Sequence, residues 1–307
     1  MNRAYIGKLM ELAEKDGNVF HLLADSGTGY DEMFSKFFPK QILNFGICEA
    51  NMVAAAAGMA SVGKIPFLFT SGAFLAYRAV EFIRNDICLQ NMNVKVVGMG
   101  SGLSWSSLGP THHTTEDISM LRAIPNLVIL SPATPIQVSQ CVQKAYEYMG
   151  PVYIRIGMNG EKEFYDESYQ VEIGKNDILM DGEDATVLVT GSILEEAYEV
   201  CKNLEGEGIK IRLINVSSLK PFGHENIIDV AGKAPIIFVI EEHNIHGGLA
   251  SIVSEIVAFQ GLGIKVVPIG INDMFAKGYG TNRIVRKVNG LDVQSICRRI
   301  REELKKE

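Results

Sequence analysis

Residues Asn44–Lys64 read NFGICEANMVAAAAGMASVGK. An apolar run ends at Phe45–Gly46 and a long stretch of Ala, Gly, Met and Val follows, so the segment reads as a strand passing into a helix. No polar face interrupts Met52–Ala60, the mark of a helix buried all round. Its small side chains also let another helix approach closely, as at a contact between subunits. One acid, Glu49, stands at the head of this helix. The free N–H groups of a first turn favour an anion there, which alone would account for it. The apolar neighbourhood adds a second reading: a carboxyl at the rim of a dry region is expensive to ionise and suited to sharing a proton.

The same alternation runs through the chain. Strands are predicted at 19–23, 41–45, 65–70, 94–99, 127–130 and 152–157, with helices at Ala50–Ser61, Phe74–Gln90 and Pro135–Glu147. From Met158 to Asp184 the text turns to acids, Gly and Asn, as in a connection between domains. A second series follows, with strands at 185–191, 209–215, 235–243 and 264–270 and helices at Leu194–Leu204, Glu225–Ala231 and Gly248–Phe259. Strands alternating with helices imply parallel sheets wrapped by helices, an α/β fold.

Composition narrows the functions. The 307 residues suffice for two domains, and 29 basic against 36 acidic side chains give a net charge of -7, no basis for binding nucleic acid. The apolar stretch Met52–Ala60 is far short of the about 20 residues a bilayer needs. The opening MNRAYIGKLMELAEKDG has acids within its apolar stripe, so neither signal peptide nor membrane anchor is expected. Five scattered cysteines without a CxxC pair suit reduced, buried thiols and a cytoplasmic location rather than metal ligation.

Two longer stretches carry a family likeness. FGICEANMVAAAAGMASVGKIPFLFTSGAFLAYRAVEFIRNDI, then GLSWSSLGPTHHTTEDISMLRAIPNLVILSPATP, resembles the pyrimidine-binding domain of transketolases and their thiamine diphosphate-dependent relatives. The later VTG, IRLINVSSLKPF and VIEEHNIHGGLAS are similar to the C-terminal domain of that family. The resemblance implies two consecutive three-layer α/β/α domains with mostly parallel sheets: a pyrimidine-binding domain over 1–170, a linker over 171–184 and a transketolase C-terminal-like domain over 185–307. It implies that Glu49 hydrogen-bonds a ring nitrogen of the cofactor's aminopyrimidine and so activates the cofactor. Phe74 and Tyr77 match aromatic positions that stack on the pyrimidine, although core aromatics on an amphipathic helix show the same spacing. His112 matches the histidine facing the substrate, with His113 beside it; a satisfied or surface histidine is the plain alternative. Asp25 matches an acid beside the cofactor, and its turn, DSGTG, explains an Asp equally well.

Other motifs point away from further cofactors. GMGSG lacks the following helix and ribose-binding acid of a dinucleotide site. His243 and His246 have a spacing that fits a metal only on a helix, and the Gly pair after them favours a loop. The helix start at HGGLAS could receive an anion.

A complete transketolase has a further domain with GDG and a downstream Asn that hold metal and diphosphate, and GDG is absent here. The resemblance therefore implies the second half of a split enzyme. Its partner would be an N-terminal transketolase-type subunit holding thiamine diphosphate and Mg or Ca, in an assembly of two copies of each chain. The activity implied is transfer of a two-carbon ketol unit between sugars. Leu108 and Met158 stand where an acid and a phosphate-binding arginine are common, and Gly29 and Gly100 replace polar positions, which points to an unusual acceptor such as a nucleotide-linked or unphosphorylated sugar. The alternatives are the beta subunit of a 2-oxoacid dehydrogenase decarboxylase component and a catalytically silent partner-binding homologue.

Overall fold

A computed structural model describes residues 1–25, 29–158, 160–225, 227 and 236–306. Among the described residues twelve strands form two sheets: β1 (Val19–Leu23), β2 (Ile42–Asn44), β3 (Ile65–Ser71), β4 (Lys95–Met99), β5 (Val128–Leu130), β6 (Val152–Ile156), β7 (Asp177–Met180), β8 (Ala185–Thr190), β9 (Ile211–Asn215), β10 (Ser218–Lys220), β11 (Ile236–Asn244) and β12 (Lys265–Ile271). The first sheet has the order β10-β5-β6-β4-β3-β1-β2 and the second β12-β11-β8-β9-β7. All pairings are parallel except β10 on β5 and β7 on β9. β4, β6 and β8 are buried along their whole length, because helices cover both faces of a parallel sheet.

Three expectations change. The connection over 171–184 carries β7, an antiparallel edge on β9. β10, from the second half of the chain, closes the edge of the first sheet, with Ser218 opposite Leu130. The single helix expected over Phe74–Gln90 is α4 (Gly72–Arg78), a short turn Val80–Phe82 and a π-helical piece, Ile83–Cys88. The helix expected over Glu225–Ala231 lies, apart from Glu225 and Ile227, outside the described residues.

The helix headed by the lone acid spans Glu49–Ser61. It buries Glu49, Met52, Val53, Ala56 and Ala57, whereas Asn51, Gly58 and Ser61 face solvent. A helix packed on one side of a sheet meets the core along one stripe, so burial all round would need a second molecule. Cys48, just before it, is exposed, and the other four cysteines are buried. Among the described residues no helix is long and apolar enough to cross a membrane.

Two cations lie inside the first sheet. Lys95 Nζ donates to the carbonyls of Tyr148 and Gly150, each at 2.7 Å. Arg155 Nε donates to both carboxylate oxygens of Asp117 at 3.1 and 2.9 Å, and its Nη2 donates to the carbonyls of Thr114 (2.9 Å) and Glu242 (3.0 Å). Tyr153 Oη donates to Asp117 Oδ2 at 2.8 Å. Strand β6, the 114–117 turn and β11 are thereby tied at one point. Asp117→Ala leaves Arg155 buried without its counter-ion and is expected to cost about 3–5 kcal/mol of stability. Urea unfolding of the variant against the parent chain measures this; a loss under about 1 kcal/mol, the scale of a surface pair, would refute the assignment.

Candidate active site

Glu49 is 1% exposed, and its Oε2 accepts a hydrogen bond from Arg78 Nη1 at 2.7 Å. Arg78, at the end of α4, is half exposed. One helical turn earlier stands Phe74, and this spacing lays the guanidinium over the ring at 5.1 Å from its centroid. Phe74 meets His112 edge-on at 5.0 Å, and Trp105 stands edge-on to His112 at 6.2 Å. Glu49, Arg78, Phe74, His112 and Trp105 therefore form a continuous row across α4 and the turn-rich loop after β4.

His112 Nδ1 is hydrogen-bonded to Thr111 Oγ1 at 2.9 Å, which leaves Nε2 as the nitrogen able to meet a ligand. His113 is 2% exposed, and neither ring nitrogen has a hydrogen-bond partner. Burial holds its pKa below the ordinary histidine value, with Glu242 and Glu116 pulling the other way. Tyr77 differs from Phe74 in what it touches. Its hydroxyl donates to Glu116 Oε2 at 2.7 Å and accepts from the Glu116 N–H at 3.0 Å. Burial above all, then Asp117 and Glu116, pushes its pKa up. This bond anchors α4 to the turn that leads into the helix Asp117–Leu121. Asp25 is exposed at the end of β1 with a positive φ of 49°. Its N–H donates to Asn44 Oδ1 at 3.2 Å, which also accepts from the Gly46 N–H at 2.9 Å, so the ends of β1 and β2 are joined just before Glu49.

The remaining motifs take structural places. His243 lies on β11 rather than in a loop, buried, with Nε2 3.4 Å from the Ser119 N–H and hydroxyl, while His246 is exposed. Among the described residues no three His, Cys, Asp or Glu side chains gather as a metal site. The anion at the HGGLAS helix start is the protein's own: the Glu241 carboxylate accepts from the N–H groups of Leu249 (2.7 Å) and Ala250 (3.0 Å). Sequence reasoning missed Arg78 and Trp105. The four-residue step from Phe74 would have marked the first; the second is the chain's only tryptophan.

Known proteins share this architecture. The model of the transketolase pyrimidine-binding domain matches residues 1–159, and that of the transketolase C-terminal domain matches residues 174–296. A putative transketolase C-terminal section from Methanocaldococcus jannaschii is 37% identical over 310 residues, covering 100% of this chain and 97% of that protein. One of the subunits of an apulose-4-phosphate transketolase from Actinobacillus succinogenes is 34% identical over 286 residues, covering 92% of each. A solved structure described as a split gene transketolase, inactive beta4 tetramer, superposes with a TM-score of 0.91 at 35% identity, covering 99% of this chain and 98% of that one.

Burial also lowers the pKa of His21, with Asp31 opposing. For His21 and His113 the unfolded chain then binds more protons than the folded one below about pH 6.5. Their contribution to stability is complete above that pH and is lost as pH falls, with a slope of up to about 1.4 kcal/mol per pH unit for each histidine. His113→Gln should remove one of these contributions and flatten the stability profile between about pH 6.5 and 5. Urea unfolding across that range checks it; an unchanged slope would show that His113 is not held neutral by the fold.

Proposed function

This chain belongs to the transketolase family, and we propose that it is the half of a two-component, thiamine diphosphate-dependent ketol transferase that supplies the proton-sharing glutamate, Glu49. The observation that carries this reading is the burial of that single carboxyl at the head of an apolar helix, beside an aromatic corner.

The residues present fit the pyrimidine end of such a cofactor. Glu49 is shielded from water, Phe74 and His112 form a corner for a flat ring, and the buried Ser71 hydroxyl at the head of α4 has no partner. Thiamine diphosphate, when bound, would supply the nucleophilic carbon that two-carbon transfer needs, with Glu49, Phe74 and Ser71 at its pyrimidine end. The chain's own groups act around it. Glu49 shares a proton with a ring nitrogen where water does not compete. Phe74 offers a ring face, while Tyr77 holds α4 in place through Glu116. His112 Nε2 binds a substrate oxygen or moves a proton at it, with His113 behind it, and Asp25 borders the cofactor. In the net reaction the C2–C3 bond of a ketose breaks and a shorter aldose departs, while the two-carbon unit bonds to the acceptor's aldehyde carbon.

A second polypeptide, an N-terminal transketolase-type subunit, would hold the diphosphate and its Mg or Ca. Several observations support that division. The relative from Actinobacillus succinogenes is named as one subunit of its transketolase, and the split gene chain solved as a beta4 tetramer is described as inactive. Leu43 and Ile47 are exposed apolar side chains flanking Glu49, and the open face of its helix is lined by small residues, which suits contacts with that partner and with a second copy in a two-plus-two assembly. Leu108 is exposed and Met158 partly buried where charged groups would serve a phosphorylated sugar.

The chain alone should show no ketol transfer, and the reconstituted pair should show it. In that pair Glu49→Gln is expected to lower kcat by about 10²–10⁴-fold. Steady-state assays with hydroxypyruvate as donor measure both; full turnover by the glutamine variant would end the proton-sharing role.

A further inference from the structure

A short segment of the C-terminal half, Tyr279 to Asn282, lies along the loop that carries His112. Asn282 Nδ2 donates to the Leu103 carbonyl at 3.0 Å. The Gly280 N–H donates to the Ser106 carbonyl at 3.2 Å. Tyr279 then rests on Gly109, where a Cβ would lie 2.1 Å from Tyr279 Cε1. Gly109 has φ 76°, a conformation that favours glycine. Both its backbone and the ring upon it therefore exclude a side chain at this position.

Gly109 is the pivot of the histidine turn. Its N–H donates to the Trp105 carbonyl at 3.3 Å, and its own carbonyl accepts from the N–H groups of His112 at 2.9 Å and His113 at 3.2 Å. A glycine has no side chain with which to anchor itself, so its place is set by what packs on it. The tyrosine ring thus bears on the residue whose carbonyl holds the His112 backbone. A small shift of that carbonyl swings the imidazole, which stands between Phe74 and Trp105.

We propose that Tyr279 is a positioning residue for His112: its ring holds the Gly109 turn against the C-terminal half and so sets the direction in which the imidazole meets the substrate. The proposal rests on the part given to His112 in the ketol-transfer reading. Tyr279 acts through Gly109, and the ring, not the hydroxyl, is the working group. Misplacing a reacting group by about 1 Å costs up to about 10²-fold in rate. Tyr279 is itself 66% exposed, so its removal takes little from the core and leaves the chain folded.

The test is a double-mutant cycle in the assembled pair with thiamine diphosphate, hydroxypyruvate as donor and glycolaldehyde as acceptor. Tyr279→Ala should lower kcat about tenfold while changing the KM for hydroxypyruvate less than about twofold, and Tyr279→Phe should keep the parent kcat. Added to His112→Ala, Tyr279→Ala should lower kcat no further, because its effect passes through that imidazole. A spectroscopic measurement needs no partner. In the chain labelled with ¹³Cε1-histidine, the resonance that disappears in His112→Ala should move in Tyr279→Ala, and those of the buried His21 and His243 should stay in place. Full kcat in Tyr279→Ala, an equal loss in both backgrounds, a Tyr279→Phe variant as slow as Tyr279→Ala, or an unmoved His112 resonance each overturns the positioning role alone. A pair without ketol transfer overturns the underlying reading, and His112→Ala with full turnover overturns the part given to His112; this inference falls with either.

Discussion

The buried ion pair of Arg155 and Asp117 is the interaction on which the other parts rest. Removing two charges from water is costly, and here the geometry offsets the cost: two bonds to one carboxylate, two to main-chain carbonyls, and a tyrosine hydroxyl on the same aspartate. Because one of those carbonyls belongs to Glu242 on β11, the second sheet is fixed against the loop that carries Trp105, His112 and His113. Glu242 is itself held by Arg286 Nε at 2.7 Å and Ser192 Oγ at 3.0 Å, so the clamp reaches into the second core. The C-terminal half of the chain therefore positions the proposed site without contributing a reacting group to it.

The pair between Glu49 and Arg78 is of another kind. Its arginine is half in solvent, and such a pair adds little to stability and rearranges easily. On the proposed function that suits it, since the carboxyl must meet a ring nitrogen that arrives with the cofactor. A rigid pair deep in the fold sets the loop, and a loose one at the rim guards the acid.

Much of this was legible in the sequence. Strands such as β4, β6, β8 and β11 are buried on both faces, so they stand out as runs dominated by Val and Ile, with only a few polar residues among them. β7 and β10, DILM and SLK, do not, since each is a short edge piece of mixed polarity; what makes them strands is the neighbour each one finds. The break of α4 into a π-helical piece has no local signal. At the site, Glu49 is conspicuous as an acid within an apolar run, whereas its partner Arg78 is marked only by the four-residue step from Phe74. The helix start at HGGLAS does hold an anion, as expected, but one that the chain itself supplies. Its carboxylate, Glu241, comes from the strand before, and only the folded chain turns it onto the helix end.

The most direct measurement is a structure of this chain assembled with its diphosphate-binding partner and thiamine diphosphate. The account predicts a carboxylate oxygen of Glu49 about 3 Å from a ring nitrogen of the aminopyrimidine, with Phe74 against that ring. A coenzyme whose pyrimidine lies elsewhere, with Glu49 still bound only to Arg78, would contradict it.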